Sequence, residues 1–198
     1  MAARIMPSAD VDPRARLGDG TSVWHLAQVR EDAEVGAACV IGRGAYIGAG
    51  ARIGDHCKIE NYALVYEPAR LEDGVFVGPA AVLTNDRFPR AITPGGALKT
   101  DQDWELAGVT VRQGASIGAR AVCVAPVTVG PWALVAAGSV VTGDIPGFAL
   151  VAGVPARFVR WVGRAGLPLV PAGHGRFRCP QSGARYTEIG KMLREEAP

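Results

Sequence analysis

The chain has 198 residues, 48% of them hydrophobic and 20% charged, with a formal net charge of +2. That length supports one domain with a real core. The charge is too small for a nucleic-acid partner, and no aromatic residues are interleaved with a basic run. No apolar run of about 18 residues is present to span a membrane, and no apolar segment marks a signal peptide at the N-terminus, so a cytoplasmic protein is expected.

Residues 1–10 read as a cap. From Val11 to Leu83 an aliphatic residue then recurs every six positions without a miss, thirteen in all, among them Val23, Ile41, Ile47, Ile59, Val65 and Val77. Two places before each stands a small residue almost every time, as at Ala27, Ala45, Cys57 and Ala63, and glycine often follows it, as at Gly36, Gly48 and Gly78. A period of six fits neither an α-helix nor simple strand alternation. It is the period of a hexapeptide solenoid. A short strand presents positions i and i+2 on one face, so each hexad turns one large and one small side chain inward and then bends. Three hexads close a triangular coil, and coils stack at a strand spacing of about 4.8 Å, which gives about six coils in all.

The run stops at Leu83 and resumes in shifted phase at Val111, continuing through Ile117, Cys123, Val129, Val135 and Val141. The insertion of residues 84–110 carries Asn85-Asp86-Arg87-Phe88-Pro89-Arg90, Thr93-Pro94-Gly95-Gly96 and Lys99 to Glu105. A loop this long in a small domain is functional or disordered, and its aromatic residues and prolines favour function. Its polar atoms need a second surface, and a neighbouring subunit supplies one. After Pro146 the coil pattern ends. Residues 1–150 are therefore assigned to the β-helix and 151–198 to a C-terminal cap and tail, with 156–165 a short helix or an irregular cap.

Cys39 and Cys57 lie eighteen apart, so they should stack on adjacent coils as buried thiols. No Cys-x-x-Cys pair supports a structural metal, and none is expected. The three histidines, His25, His56 and His174, share no eighteen-residue spacing, which removes a three-histidine zinc site. Regular threonine columns, the mark of an ice-binding wall, are absent from the sequence.

Several motifs carry a specific resemblance. Ala137-Gly138-Ser139-Val140-Val141-Thr142-Gly143-Asp144-Ile145-Pro146, followed by Gly153-Val154-Pro155-Ala156-Arg157, resembles the end of hexapeptide acyltransferases. The break from Val77-Gly78-Pro79 through Thr84 to Arg90 resembles N-acetyltransferases of nucleotide-linked 3-amino sugars, both the dTDP-3-amino-3,6-dideoxyhexose and the UDP-3-amino-glucuronate types. Val23-Trp24-His25 with Val29-Arg30, and Cys179-Pro180 with Ser182-Gly183 and Tyr186, match the second type. The resemblance implies an all-β, left-handed parallel β-helix with one long loop insertion and a short C-terminal cap. Its handedness runs against the usual right-handed crossover and does not follow from the period. It also implies a homotrimer with clefts between subunits, acetyl-CoA as co-substrate, and a nucleotide-linked amino sugar as acceptor.

Hexapeptide acetyltransferases acting on hydroxyls usually carry a histidine near the cleft, whereas residues 57–173 contain none. An amino-sugar nitrogen needs less help. Its pKa should lie nearer that of an α-amine, about 7.7–8.0, than that of lysine, so positioning beside the thioester is the main requirement. On this reading Asn85 orients the amine and Asp86 holds or accepts a proton. Glu67, eighteen before Asn85, is a second carboxylate in the cleft. Asn61 and Tyr66 are assigned to sugar hydroxyls. Arg87 and Arg90, with Phe88 and Pro89 between them, face a diphosphate or sugar carboxylate. Gly118, Ala136 and Ser139 line the pantetheine arm, and Arg157 and Arg160 pair with the CoA phosphates. Transfer to a hydroxyl, or a non-catalytic scaffold, are the alternatives.

Overall fold

The computed structural model describes residues 1–197. Strands of mostly two residues, parallel except for the last of the first wall, build three walls of a prism. The first wall has nine strands, from Arg4–Ile5 through Ser22–Val23, Val40–Ile41 and Lys58–Ile59 to Ala149–Gly153 and Ala156–Trp161. The second has seven, from Asp10–Val11 to Val140–Val141. The third has six, from Arg16–Leu17 to Val127–Val129. Register is eighteen residues per turn, with Leu64 opposite Val82 and Val65 opposite Leu83. The architecture is the expected all-β parallel β-helix.

The inward columns are those of the period. Val23, Ile41, Ile47, Ile59, Val65, Val77, Leu83 and Ile117 are fully buried, as are the small partners Ala27, Cys57, Ala63 and Ala81. Full burial of each large aliphatic contributes about 1.5–3 kcal/mol. The first wall's small column also carries a polar ladder. The Cys39 N–H donates to Thr21 Oγ1 at 2.9 Å, the Cys57 N–H points at Cys39 Sγ at 3.4 Å, and both thiols are free. Cys123, sealed in the core, has its thiol pushed up to about 12 by burial. Glycine after the aliphatic is a stacking requirement at Gly118, where a Cβ would collide with the Ala137 backbone nitrogen.

Three sequence expectations are corrected. The prism has about eight turns, not six, because coiling begins earlier and ends later than the clean repeat. Residues 1–10 are the first coil and not a separate cap: Arg4–Ile5 pairs with Ser22–Val23, and Asp10–Val11 with Gln28–Val29. At the other end Ala149–Gly153 extends the first wall beyond Leu134–Val135, in a coil shortened to sixteen residues. The segment 156–165 is not a helix. Ala156–Trp161 returns antiparallel along Ala149–Gly153 through the Gly153-Val154-Pro155-Ala156 turn. A two-residue turn and a free sheet edge favour a hairpin over a helix here. Beyond it, Val170–Pro171, Arg176–Arg178, Arg185–Ile189 and Met192–Glu195 form a four-stranded antiparallel sheet. Its Tyr186 packs edge-on against Phe148, ring centroids 5.3 Å apart, and so covers the last coil.

Candidate active site

The insertion leaves the prism at the corner between the second and third walls. Leu83 pairs with Cys123, forty positions on, so 22 residues lie outside the coil. The root is tied shut: the Ala107 N–H donates to the Asn85 carbonyl at 3.0 Å, and the Ala125 N–H donates to Thr84 Oγ1 at 2.9 Å. Asp86 then starts a local turn, its Oδ1 accepting the Phe88 N–H at 2.7 Å. A small hairpin follows, with Ile92 bridged to Leu98. Next the Asp103 carboxylate accepts from the Thr100 N–H and hydroxyl, both at 2.8 Å, and the backbone bond in the first place holds its pKa below the ordinary value. The folded-back loop encloses a cavity of about 350 Å³ whose walls include Asp86, Arg87, Phe88, Lys99, Trp104 and Ala107.

One turn below the root lies a polar cluster. Asn85 Nδ2 donates to Glu67 Oε1 at 3.3 Å, and Glu67 Oε2 is buried with no hydrogen-bond partner among the described residues. Tyr66 meets Tyr46 with ring centroids 5.1 Å apart. Burial raises the Tyr46 pKa, and the Glu67 charge raises it further. Arg30, one coil lower, forks onto Glu31 through two bonds of 2.7 and 2.8 Å. This pairing lowers the Glu31 pKa and raises that of Arg30.

The remaining expected site residues fall in three places. Arg87, Phe88, Pro89 and Arg90 lie on the exposed part of the loop; the Arg87 guanidinium sits 5.1 Å from the Phe88 ring centroid, and Arg90 Nη1 donates to the Pro89 carbonyl at 2.9 Å. Asn61 occupies the opposite edge of the second wall, where its Oδ1 accepts the Arg43 N–H at 2.8 Å. Gly118, Ala136 and Ser139 cluster at this same edge, several coils higher. There the Gly118 and Ala136 N–H groups donate to Val135 and Val151, and Ser139 Oγ accepts the Gly153 N–H at 3.2 Å. Arg157 and Arg160 are exposed on the return strand. The chain thus carries two groups of candidates, one on each edge of the second wall.

Sequence reasoning gave no site role to Tyr46, Arg30, Lys99 or Trp104, although Val29-Arg30 carried part of the resemblance. For Tyr46 a signal existed: it stands eighteen before Leu64 in the outward position of the wall, two residues from the column of Tyr66. Lys99 and Trp104 meet Asp86 only through the loop's own turns, which have no period. The histidines lie apart from Asn85. His25 Nδ1 pairs with Ser8 Oγ at 2.8 Å at the first-to-second corner, His56 is exposed at the third-to-first corner, and His174 is exposed in the tail.

Comparison with known proteins agrees with this architecture. The family pattern described as "Hexapeptide repeat of succinyl-transferase" matches residues 33–62 and 107–143. Over 52 residues the chain is 56% identical to a dTDP-3-amino-3,6-dideoxy-alpha-D-galactopyranose 3-N-acetyltransferase of Aneurinibacillus thermoaerophilus, covering 26% of this chain and 27% of that protein. Over 87 residues it is 39% identical to the serine acetyltransferase of Haemophilus influenzae, covering 43% of this chain and 32% of that protein. The chain therefore spans a third or less of the length of these curated relatives. Among solved structures, a variant of AntD, an N-acyltransferase from Bacillus cereus in complex with dTDP and coenzyme A, shares the fold, with a TM-score of 0.51, 17% identity and 82% of each chain covered. The hexapeptide repeat read from the sequence is thus present in both pattern and fold.

Proposed function

We propose that the chain is an acetyl-CoA-dependent N-acetyltransferase acting on the amino group, at the 3-position, of a nucleotide-linked deoxy-amino sugar. The observation that carries this reading is the Asn85–Glu67 contact at the root of the loop, beside a cavity lined by Asp86, Arg87, Lys99 and Trp104 and apart from all three histidines. Such a site can orient a nucleophile but offers no imidazole base. A neutral amine is the acceptor that needs no more than this. The match to a dTDP-3-amino-sugar 3-N-acetyltransferase supports the same acceptor class.

In the proposed reaction the amine nitrogen attacks the thioester carbonyl carbon. The N–C bond forms, the C–S bond breaks, and the proton lost from nitrogen ends on the CoA sulfur. Asn85 orients the amine. Asp86 keeps one carboxylate oxygen in its turn and turns the group toward the cavity, where it relays the proton through water. Lys99, Arg87 and Arg90 supply positive charge for a diphosphate, and Trp104 and Phe88 supply ring faces for a base. At the other edge of the wall, Arg157 and Arg160 are exposed guanidinium forks suited to CoA phosphates. Gly118, Ala136 and Ser139 give the pantetheine arm a smooth ridge, since their own polar groups are used within the coil.

The two groups flank one apolar wall, whose outward residues include Leu64, Val82, Val122 and Val140, all half-buried. The third wall instead shows Arg16, Glu34, Arg52 and Arg70, a charged ladder suited to solvent. A ring of three copies packed through the second wall brings the Asn85 edge of one to the Ala136 edge of the next. That arrangement supports a homotrimer with shared active sites.

A hydroxyl acceptor is the second reading, favoured by the 39% match to a serine acetyltransferase. Assay of acetyl-CoA with dTDP- and UDP-linked 3-amino sugars against their 3-hydroxy counterparts separates the two. Turnover with the amino sugars alone is expected, and turnover with the hydroxy sugars alone overturns the proposal.

A further inference from the structure

Three turns of this prism share a device that Glu67 departs from. At the second residue of a turn, a side-chain oxygen folds down over the glycine of the coil beneath and accepts the N–H that follows this glycine. Asp55 Oδ1 takes the Ala37 N–H at 2.7 Å over Gly36, Asp73 Oδ1 takes the Asp55 N–H at 2.8 Å over Gly54, and Asn61 Oδ1 takes the Arg43 N–H at 2.8 Å over Gly42. In each case the oxygen belongs to the residue eighteen positions after the N–H it satisfies. Glu67 holds the same place, eighteen after Ala49, and its Oε2 lies over Gly48 where a Cβ would collide with it. Yet this oxygen is buried and accepts nothing. A buried acceptor left unpaired in a native protein calls for a reason.

The other oxygen shows it. Glu67 Oε1 faces upward, to the coil above, and receives Asn85 Nδ2 at 3.3 Å. A carboxylate has only acceptor sites, so the amide must present its NH2 to it and its carbonyl oxygen the opposite way. The Asn85 backbone carbonyl is already held by the Ala107 N–H. Both ends of the residue are therefore fixed, and Oδ1 is left as its side-chain acceptor for a ligand.

We infer that Glu67 is a positioning residue for acetyl transfer: it gives up the coil-capping bond of its counterparts and locks the Asn85 amide with its oxygen toward the acceptor amine. An oxygen so placed accepts one amine hydrogen and aims the nitrogen lone pair away from itself, toward the thioester. This inference rests on the N-acetyl transfer proposed above.

Glu67→Asp and Glu67→Gln test it. The aspartate is one methylene shorter. It can reach the Ala49 N–H as Asp55 and Asp73 reach theirs, and it draws away from Asn85. The glutamine keeps the length but lets the Asn85 amide take either orientation. Both variants are expected to keep the wild-type Tm and the acetyl-CoA KM, while kcat for the amino sugar falls by about 10²-fold, the usual cost of misplacing a positioning group by an ångström. A kcat within twofold of wild type in both, or a large fall in the Tm of both, overturns the inference, the second in favour of a purely structural Glu67. A measurement on the unliganded protein separates this from the functional reading. The Asn85 Nδ2 protons should exchange slowly with solvent in the wild type and several-fold faster in Glu67→Asp, as read by NMR. If no amino sugar is acetylated but this difference is present, the functional reading fails and the Glu67–Asn85 lock survives. Equal exchange rates overturn the lock itself.

Discussion

Glu67 and Asn85, eighteen residues apart in the chain, meet at 3.3 Å on successive turns where the backbone leaves the prism. Asp86 lies on the cavity side of this contact and the Tyr46–Tyr66 pair beneath it. Replacing Asn85 by Ala removes the amide that donates to Glu67 and leaves its oxygen to face a ligand. Replacing Asp86 by Ala removes the cavity carboxylate. Each variant is expected to lower kcat for the amino sugar, by about 10²–10⁴-fold where a positioned proton acceptor is lost, with little change in the acetyl-CoA KM. Steady-state kinetics decide it, and unchanged turnover in both variants removes the catalytic assignment.

The core makes a second prediction. Ile59 is fully buried between Ile41 and Val77 of the neighbouring coils. A solenoid offers little room for collapse around a truncated side chain, because its neighbours are pinned by their own coils. Ile59→Ala should therefore cost about 2–5 kcal/mol. Denaturant titration checks this, and a loss under 1 kcal/mol, well below that range, would show that the stacked column is not the stabilising element.

Much of this fold was legible in the sequence, for a physical reason. In a coil whose turns stack in register, each inward column is a fixed arithmetic series, so Ile41, Ile59 and Val77 announce their contact without any tertiary information. The same arithmetic put Glu67 under Asn85. It failed at the ends. At the start the series was simply begun too late: Ile5, six before Val11, continues it into the first coil, although it is 47% exposed. The last coil has sixteen residues and breaks the count. The tail sheet was unreadable because its strands bury only isolated residues such as Tyr186 and Leu193. The loop cavity was only partly legible: Asp86 and Arg87 stand in a recognisable motif, whereas Lys99 and Trp104 reach it through hairpin and turn bonds that leave no period.

The two edges of the second wall lead to a third prediction. Val82 stands outward on the fifth of that wall's seven strands, one residue from the inward Leu83 and between Leu64 and Val122. An arginine there places a charge within the proposed interface while leaving the inward column intact. Val82→Arg should turn a trimer into a monomer in sedimentation velocity, keep the β-sheet circular dichroism, and abolish acetyl transfer because each site then lacks its other edge. A wild-type monomer at micromolar concentration, or a fully active monomeric variant, would contradict shared sites.

Charge at the opposite edge gives a fourth. Arg157 is exposed on the return strand, and among the described residues its guanidinium bonds only to the Ala156 carbonyl, at 3.0 Å. It therefore contributes little to the fold and is free for a phosphate. Charge reversal to Arg157→Glu should raise the acetyl-CoA KM by about tenfold or more, the equivalent of losing a hydrogen bond between charged groups worth about 1.5–3 kcal/mol. The amino-sugar KM should stay the same. An unaltered acetyl-CoA KM would move the phosphate contact elsewhere.

Acid should weaken the prism before it affects the core. Glu72 has its pKa lowered, first by the Arg112 guanidinium 2.6 Å away and then by the Gln113 N–H; Asp103 is lowered by the Thr100 bonds and Glu31 by Arg30. Each carboxylate binds a proton less readily folded than unfolded, so the unfolded chain takes up protons first as the pH falls. The stability these groups contribute is complete above the ordinary carboxylate range, about 3.9–4.3. It is lost as the pH drops through that range to the lowered folded values. Tm measured from pH 7 to pH 2 should accordingly be flat at first and then fall, and Glu72→Gln should flatten part of the fall while lowering the neutral-pH Tm slightly. Glu72 is only partly shielded from water and its bridge to Arg112 is screened, so the effect should stay within the range of about 0–1 kcal/mol typical of surface pairs. An acid limb of identical depth in Glu72→Gln would show that this bridge contributes nothing to the folded state.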